Sequence, residues 1–494
     1  MITIAFFDDF CLQKHSQFRR CYFEPVKIDE SLFFDDNYSI SYPSIQWCPE
    51  AGKYRMWNNL NHVVCSIGKQ DEHMILGMQE SDDCIHWKSF KNPAPPCEFP
   101  PNCVFAGDEG SIHGAGVWRD EYDSNPKRRY KCALSIDGTS QPQHFSPGVV
   151  ITSADGIQWD EENMSMQWGH SMSDAYNHIF FNPVLKAYQV IMRSIVTDRR
   201  ICTTTSKDLI TWSKPQVMLS PDPFDPPCCE FYGMSSFYKD GIFYGFLWIF
   251  DTDMDDRVPW KFDGSTYTEL VYSYDGLHWN RTHKTVQSPA ATGEYGATDN
   301  YIGNMCESKD QREWFIAGIY PRSNHGSGLY KERLVDVNND NKKSAFYIGT
   351  IKPGRFVGLQ SVGNSFLRTK KIYSKDGDFR INAAVPLGQM RVQLVDQWYK
   401  PVTGFTFEDS IPFTGDAINH QPEWRTRKLS EVKGFNFAIE VQIFSGVIYG
   451  ITGDFYPFYA SMPQESFGDP VHVADVVFGE GTKNIDYEKV NLKG

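Results

Sequence analysis

The chain has 494 residues, 41% hydrophobic and 22% charged, with aromatics at 15%. That is too long for one ordinary core and too apolar for disorder, so it reads as a large repeat architecture with an appended domain. Its net charge of -14 excludes an electrostatic grip on nucleic acid or anionic lipid, both of which need clustered Lys and Arg.

The first residues, MITIAFFDDF, lack a basic leader and carry only a short apolar run before Asp8. They do not read as a signal peptide, and no stretch reaches transmembrane length, so the expectation is a cytoplasmic protein with no membrane partner. The 12 cysteines include no C-x-x-C pair, which removes the usual zinc-ribbon and thioredoxin readings; they read as free thiols behaving as small hydrophobes. Residues 1–30 are taken as an N-terminal extension.

From residue 31 to 372 one signature organises the chain. SDDCIHW (Ser81 to Trp87), SADGIQW (Ser153 to Trp159), SKDLITW (Ser206 to Trp212) and SYDGLHW (Ser273 to Trp279) share the pattern Ser-x-Asp-x-(Ile/Leu)-x-Trp. The chain holds only 13 Trp, so four at one fixed offset mark a repeat. Ser and Asp side chains fold back on turn amides, and the Asp-Gly of two copies suits positive φ. Alternating β-formers such as KAYQVIMRS and GIFYGFLWIF precede the turns. The spacing fits one four-stranded blade per copy, and the segment from Asn300 to Leu359 supplies a fifth unit without the signature at its turn. The sequence therefore predicts an all-β fold, a five-bladed β-propeller, with the four Trp buried between strands or blades.

Beyond residue 372 the strands change character (FRINAAV, FNFAIEVQIF, VIYGITGDFY) and read as a β-sandwich over 373–460. Residues 461–494 read as a polar tail.

In an antiparallel four-stranded blade, the residues leading into each innermost strand share an end with the second-to-third loops, opposite the Ser-x-Asp turns. Asp35, Asp36 and Tyr42 lead into blade one; Asp108, Glu109 and His113 into blade two; Asp174 and Asn177 into blade three; Glu230 and Tyr232 into blade four; Glu294 and Asp299 into blade five. Each blade thus delivers a carboxylate to one axial pocket. Crowded carboxylates drive one another's proton affinities apart, which is what glycoside hydrolysis asks of an acid and a base. An acid before a strand is as often a turn cap, and His113 and Asn177 suit structural hydrogen bonds equally.

The order of these acids resembles that of the five-bladed glycoside hydrolases of families 43 and 32, over about residues 31 to 360. That resemblance implies a carbohydrate substrate and no cofactor. It implies Glu230, in CCEFYGMSSFYKDGIFYGF, as general acid and Asp174, in SDAYNHIFFNP, as the second Asp. Where those families place Asp before Pro-Ser this chain has Tyr42-Pro43-Ser44, so the base or nucleophile falls to Asp36, Asp108 or Glu109, an arrangement that leans towards inversion. The sandwich is similar to the accessory domain of family 32.

Two other readings stand beside this one. A sialidase needs a Tyr nucleophile and an arginine cluster, for which Tyr42 and Arg199, Arg200 and Arg322 are available. A non-catalytic carbohydrate-binding or scaffold propeller needs aromatic side chains without convergent acids. The loop carrying Asp251, Asp253, Asp255 and Asp256 offers oxygen ligands for a structural divalent cation such as calcium but lacks EF-hand spacing, and reads more simply as solvated.

Overall fold

The computed structural model describes residues 1–33, 38–62, 74–96, 100–106, 112–136, 148–165, 175–193, 199–253, 263–291, 296–297, 299–321 and 344–457. Among them the chain is almost wholly β, with short 3₁₀ turns at Pro126–Arg128 and Leu429–Val432. No helix is long and apolar enough to cross a membrane. Two compact units emerge: residues 24–237 with 243–351, and residues 1–23, 238–242 and 352–494.

The larger unit is a five-bladed propeller. Blade one comprises Tyr38–Cys48, Lys53–His62, Met74–Ser81 and Trp87–Ser89, with Cys103–Phe105 added beside its third strand. Blade two comprises Ile112–Arg119, Tyr130–Ile136, Gly148–Ser153 and Trp159–Ser165; blade three, His178–Asn182, Ala187–Arg193, Ile201–Ser206 and Gln216–Leu219. Glu230–Lys239, Ile242–Asp253, Asp263–Ser273 and Trp279–Thr285 make blade four. Blade five takes Tyr301–Glu307, Trp314–Tyr320 and Ala345–Ile351 from its own stretch of sequence, and its outermost strand, Val26–Phe33, from near the N-terminus.

That last pairing corrects the boundaries expected from the sequence. Residues 26–30, expected in the N-terminal extension, belong to this blade: Val26 pairs with Thr350 and Phe33 with Phe346, closing the ring with its first and last segments. Ser31 Oγ accepts the Ile348 amide at 2.7 Å, and the Phe33 and Phe346 rings stack 5.0 Å apart. The closure also explains why blade five lacks the signature at a third-to-fourth turn: its fourth strand arrives from elsewhere, so no such hairpin exists. The same residue types recur instead as Ser308-Lys-Asp310 with Trp314, at the first-to-second turn, where Ser308 Oγ bonds Asp310 at 2.7 Å.

The four expected turns share one hydrogen-bond pattern. In blade two, Ser153 Oγ accepts the Gly156 amide at 2.8 Å while Asp155 Oδ1 accepts those of Ile157 and Gln158 at 2.8 and 2.9 Å. The residue after Asp is left-handed in every copy, glycine or not: Cys84 (φ 67°), Gly156 (75°), Leu209 (65°) and Gly276 (77°). Turns dock on the preceding blade through the carbonyls this exposes. Arg55 and Trp57 of blade one each donate at 2.8 Å to the Asp155 and Gly156 carbonyls. Asn182 and Gln189 of blade three each donate at 2.8 Å to those of Asp275 and Gly276. Trp87 is buried as expected, whereas Trp159, Trp212 and Trp279 are half-buried. The indoles of Trp87 and Trp279 donate back to the carbonyl of the left-handed residue, at 3.0 and 3.1 Å.

Between blades the sheets pack face to face on apolar layers. Ile45, Tyr54 and Met56 of blade one meet Phe315, Ala317 and Phe346 of blade five, while Trp57, Leu76 and Met78 meet Val117, Cys132 and Ile151 of blade two. Blade two holds a polar exception: Lys131, fully buried, pairs with Asp120 and with Asp123 at 3.0 Å, and the Tyr188 hydroxyl donates to Asp120 at 2.9 Å.

In the smaller unit Ile2–Ala5 and Leu12–Tyr22 join the C-terminal strands in a seven-stranded sheet. Its long strand Ile372–Val395 pairs first with Val447–Pro457 and then, past a break in register, with Asn436–Phe444. Pro386, which cannot donate to a ladder, and Gly388, whose Cβ would lie 1.7 Å from the Phe444 carbonyl oxygen, sit where the partner changes. The strand contributes to one core that includes Phe379, Ile381, Val392, Ile439 and Ile451. The expected tail, 461–494, lies outside the described residues.

Gly156 tests the turn-docking account. A Cβ there would sit 2.7 Å from the Trp57 ring on a backbone that side chains rarely adopt. Gly156→Ala should lower unfolding free energy by about 1–3 kcal/mol, read from denaturant midpoints, with secondary structure unchanged.

Candidate active site

Near the end of the propeller where innermost strands begin, Tyr42-Pro43-Ser44 departs from regular strand geometry. A bulge between Ser41 and Ser44 interrupts the pairing of blade one's first two strands, and Tyr42 takes φ 55°. A left-handed tyrosine before proline is a strained arrangement, worth about 1–3 kcal/mol, that survives only when its surroundings over-determine it. They do. Ile45 N donates to Asn304 of blade five at 2.7 Å, Ser44 Oγ accepts from Val117 N of blade two at 3.1 Å and bonds the Tyr176 hydroxyl of blade three at 2.9 Å. Gly303 leaves room for Pro43, whose ring would meet a Cβ at 2.4 Å.

Held in this way, Tyr42 stacks against Trp248 of blade four and Tyr176 of blade three, with centroids 5.9 and 6.1 Å away. Tyr301 of blade five adjoins Trp248 at 5.2 Å and Tyr232 at 5.7 Å. Four blades thus contribute rings to one aromatic cluster. Burial, with Tyr232 alongside, pushes the Tyr42 phenol well above the tyrosine range, so near neutral pH it is a hydrogen-bond donor and not a phenolate.

Glu230 opens the innermost strand of blade four, its side chain 14% exposed, and Arg199 Nη1 reaches its Oε2 at 2.6 Å. Two guanidinium groups lie over the Tyr232 ring, Arg193 at 4.9 Å and Arg199 at 5.6 Å from the centroid. Arg193 is almost fully buried, and that burial lowers its proton affinity. Glu230, Tyr232 and Tyr42 therefore share one neighbourhood through Arg193, Arg199 and the ring cluster.

Other expected residues are used differently. Asp299 is buried, and its Oδ1 accepts both the amide and the hydroxyl of Thr266, at 2.7 and 2.6 Å, clamping blade five to blade four. Asn177 donates from its side chain to the Gly114 and Ala175 carbonyls at 3.2 and 3.1 Å, joining blades two and three. His113 is half-buried on blade two, opposite Ser135, and Arg200 reaches Ser220 Oγ at 3.1 Å. Asp35, Asp36, Asp108, Glu109, Asp174, Glu294 and Arg322 lie outside the described residues, as do Asp255 and Asp256 of the acidic loop.

Among the described residues Asp222, Asp225 and His283 come close enough to share a cation. Arg281 already serves them: it grips both Asp225 oxygens, one at 2.7 Å, and Glu269 at 2.5 Å. Asp222 in turn lies 3.1 Å from His283 Nε2.

Sequence reasoning missed Arg193, Tyr176, His178, Trp248 and Tyr301. The signal for Arg193 was present, a lone cation ending the apolar strand AYQVIMR. His178 is buried between the Tyr176 and Phe180 rings, 5.9 and 5.1 Å away, and its Nε2 has no hydrogen-bond partner among the described residues.

No protein-family model matches the sequence, and no curated protein matches it. Solved structures align with it at low identity. An N-acetylgalactosamine deacetylase from F. plautii, in complex with blood group B trisaccharide, is 15% identical, with a TM-score of 0.45, over 69% of this chain and 97% of that one. A glycosyl hydrolase from Bacteroides ovatus is 14% identical at TM-score 0.43, over 69% and 95%. A GH32 β-fructofuranosidase from Bombyx mori is 10% identical at TM-score 0.42, over 90% and 95%.

Burial holds the His178 imidazole at about 3, far below its unfolded value of about 6.5, so the unfolded chain binds the extra proton between these limits. Its contribution to stability is complete above about pH 6.5 and is lost as pH falls towards 3. From pH 7 to pH 5 that loss is about 2 kcal/mol. His178→Phe should flatten the acid limb of a stability-against-pH curve by this amount; an unchanged slope would refute the neutral buried imidazole.

Proposed function

We propose that this protein is a glycoside hydrolase acting on an oligo- or polysaccharide in the axial pocket of its propeller, with Glu230 as general acid. The observation that carries the reading is a largely buried carboxylate at the start of blade four, paired with Arg199, whose guanidinium lies over Tyr232 of the ring cluster. Sugars present flat C–H faces to aromatic rings and hydroxyls to charged side chains, and this arrangement offers both.

In this reading Glu230 gives its proton to the departing glycosidic oxygen. Substrate draws Arg199 off the carboxyl and leaves it free to orient a hydroxyl. Tyr42 and Tyr232 pack along the sugar, and Tyr42, as a neutral phenol, donates a hydrogen bond. The second carboxylate comes from Asp174, Asp36, Asp108 or Glu109. A separation from Glu230 of about 5 to 5.5 Å would give a covalent intermediate and retention, and about 6.5 to 9.5 Å would leave room for water and give inversion.

The sialidase reading asks Tyr42 to be a nucleophile, and its raised proton affinity opposes that. A binding propeller without turnover draws support from the ring cluster itself, and from Asp299 being committed to Thr266.

Glu230→Gln separates the readings, because the amide keeps size and hydrogen bonding but has no proton to transfer. On natural glycosides its turnover should fall by roughly 10²- to 10⁴-fold, with less loss on substrates bearing very good leaving groups. Undiminished turnover in E230Q would remove Glu230 from the chemistry, and failure of the native chain to cleave any member of a broad glycoside panel would favour the binding module.

A further inference from the structure

The smaller unit carries a concave site on the outer face of its sheet, built by three adjacent strands. Register places Asn364, Phe444 and Gln389 in one row across them, and Phe366, Gln442 and Arg391 in the next. Together they border a cavity of about 290 Å³, enough for one or two sugar rings. A third row, Arg368, Glu440 and Gln393, closes on itself: Arg368 pairs with Glu440 and Gln393 donates to Glu440 Oε2 at 2.6 Å.

Chemistry selects the occupant. Asn364, Gln389 and Gln442 are exposed amides, each offering a donor and an acceptor as a pair of sugar hydroxyls requires. Phe444 is 50% exposed and Phe366 half-buried on the neighbouring strand, a diagonal of about 7 Å. Arg391 is fixed by Nη1 donating to the Phe407 carbonyl at 3.0 Å, which leaves Nε and Nη2, a fork matched to a carboxylate. Of the residues lining the cavity, Arg391 is charged and none is acidic, in a chain whose net charge is -14. Among the described residues lining the cavity the one full charge is positive, and two further cations, Lys14 and Arg368, lie over the Phe366 ring at 5.6 and 5.9 Å.

We infer that this groove binds an acidic glycan, a segment of uronic-acid-bearing oligosaccharide, with Arg391 on the carboxylate, the three amides on hydroxyls and Phe444 with Phe366 beneath the rings. The choice of a sugar rests on the hydrolase reading; the groove itself does not depend on turnover. It would hold a polymer on the molecule independently of cleavage.

Hexagalacturonate and its methyl ester, which share a skeleton and differ in charge, are the probes. Titrated calorimetrically into the full-length E230Q protein, the acid should bind at least tenfold more tightly than the ester, and more weakly as salt rises. Arg391→Met should erase that preference, and Phe444→Ala should weaken both probes by tenfold or more, with Gln442→Ala as a milder companion and thermal melts confirming folding. Equal affinity for acid and ester, binding of neither, or indifference to these three substitutions would overturn the proposal. So would a change in assembly mass on Phe444→Ala with glycan binding intact, because the face would then be covered by a second copy of the chain. Loss of turnover with groove binding preserved, or the reverse, identifies which of the two readings has failed.

Discussion

In two of the turns the backbone carbonyls of a left-handed glycine and of the Asp before it fix one blade's orientation against the preceding blade. In each of four blades a serine and an aspartate bind the turn amides, and the following residue turns left-handed. Where that residue is glycine, side chains of the preceding blade donate to the exposed carbonyls. Each such bond contributes about 1 kcal/mol net, little beside the apolar layers between blades. Its effect is directional. Apolar packing lets one sheet slide on another, whereas a paired carbonyl fixes blade against blade and so fixes where innermost strands begin.

Closure of the ring brings opposite ends of the sequence into one blade. With Val26–Phe33 completing blade five, the chain enters blade one already tied to the last blade, and the bulge at Tyr42 is gripped by Asn304 and Gly303 on one side and Val117 and Tyr176 on the other. Strain that would relax in an isolated hairpin is kept. It holds the Tyr42 ring against Trp248 and Tyr176.

The fold was legible because its signal is periodic: Ser, Asp and Trp recur at fixed offsets, and the turn chemistry requires them. What escaped is non-local. Nothing in VKIDESLF says that it is the outer strand of a blade ending three hundred residues later, since an edge strand reads alike wherever it pairs. Nor could sequence tell two acids at like positions apart. Asp299 and Glu230 both precede or open an innermost strand, yet Oδ1 of one bonds Thr266 and the other pairs with Arg199. Arg193 and Trp248 lie inside apolar strands, where alternation hides which face turns to the axis.

The central claim is that the axial end beside Glu230 is where a sugar sits. The most direct measurement is a crystal structure of the E230Q protein soaked with an oligosaccharide that the native chain cleaves. The account predicts a sugar ring against Tyr42 and Tyr232, with its scissile oxygen within about 3 Å of the residue 230 amide and Arg199 turned from that side chain onto a hydroxyl. A sugar bound elsewhere on the propeller, with Arg199 still against residue 230 and the axial rings uncovered, would contradict it.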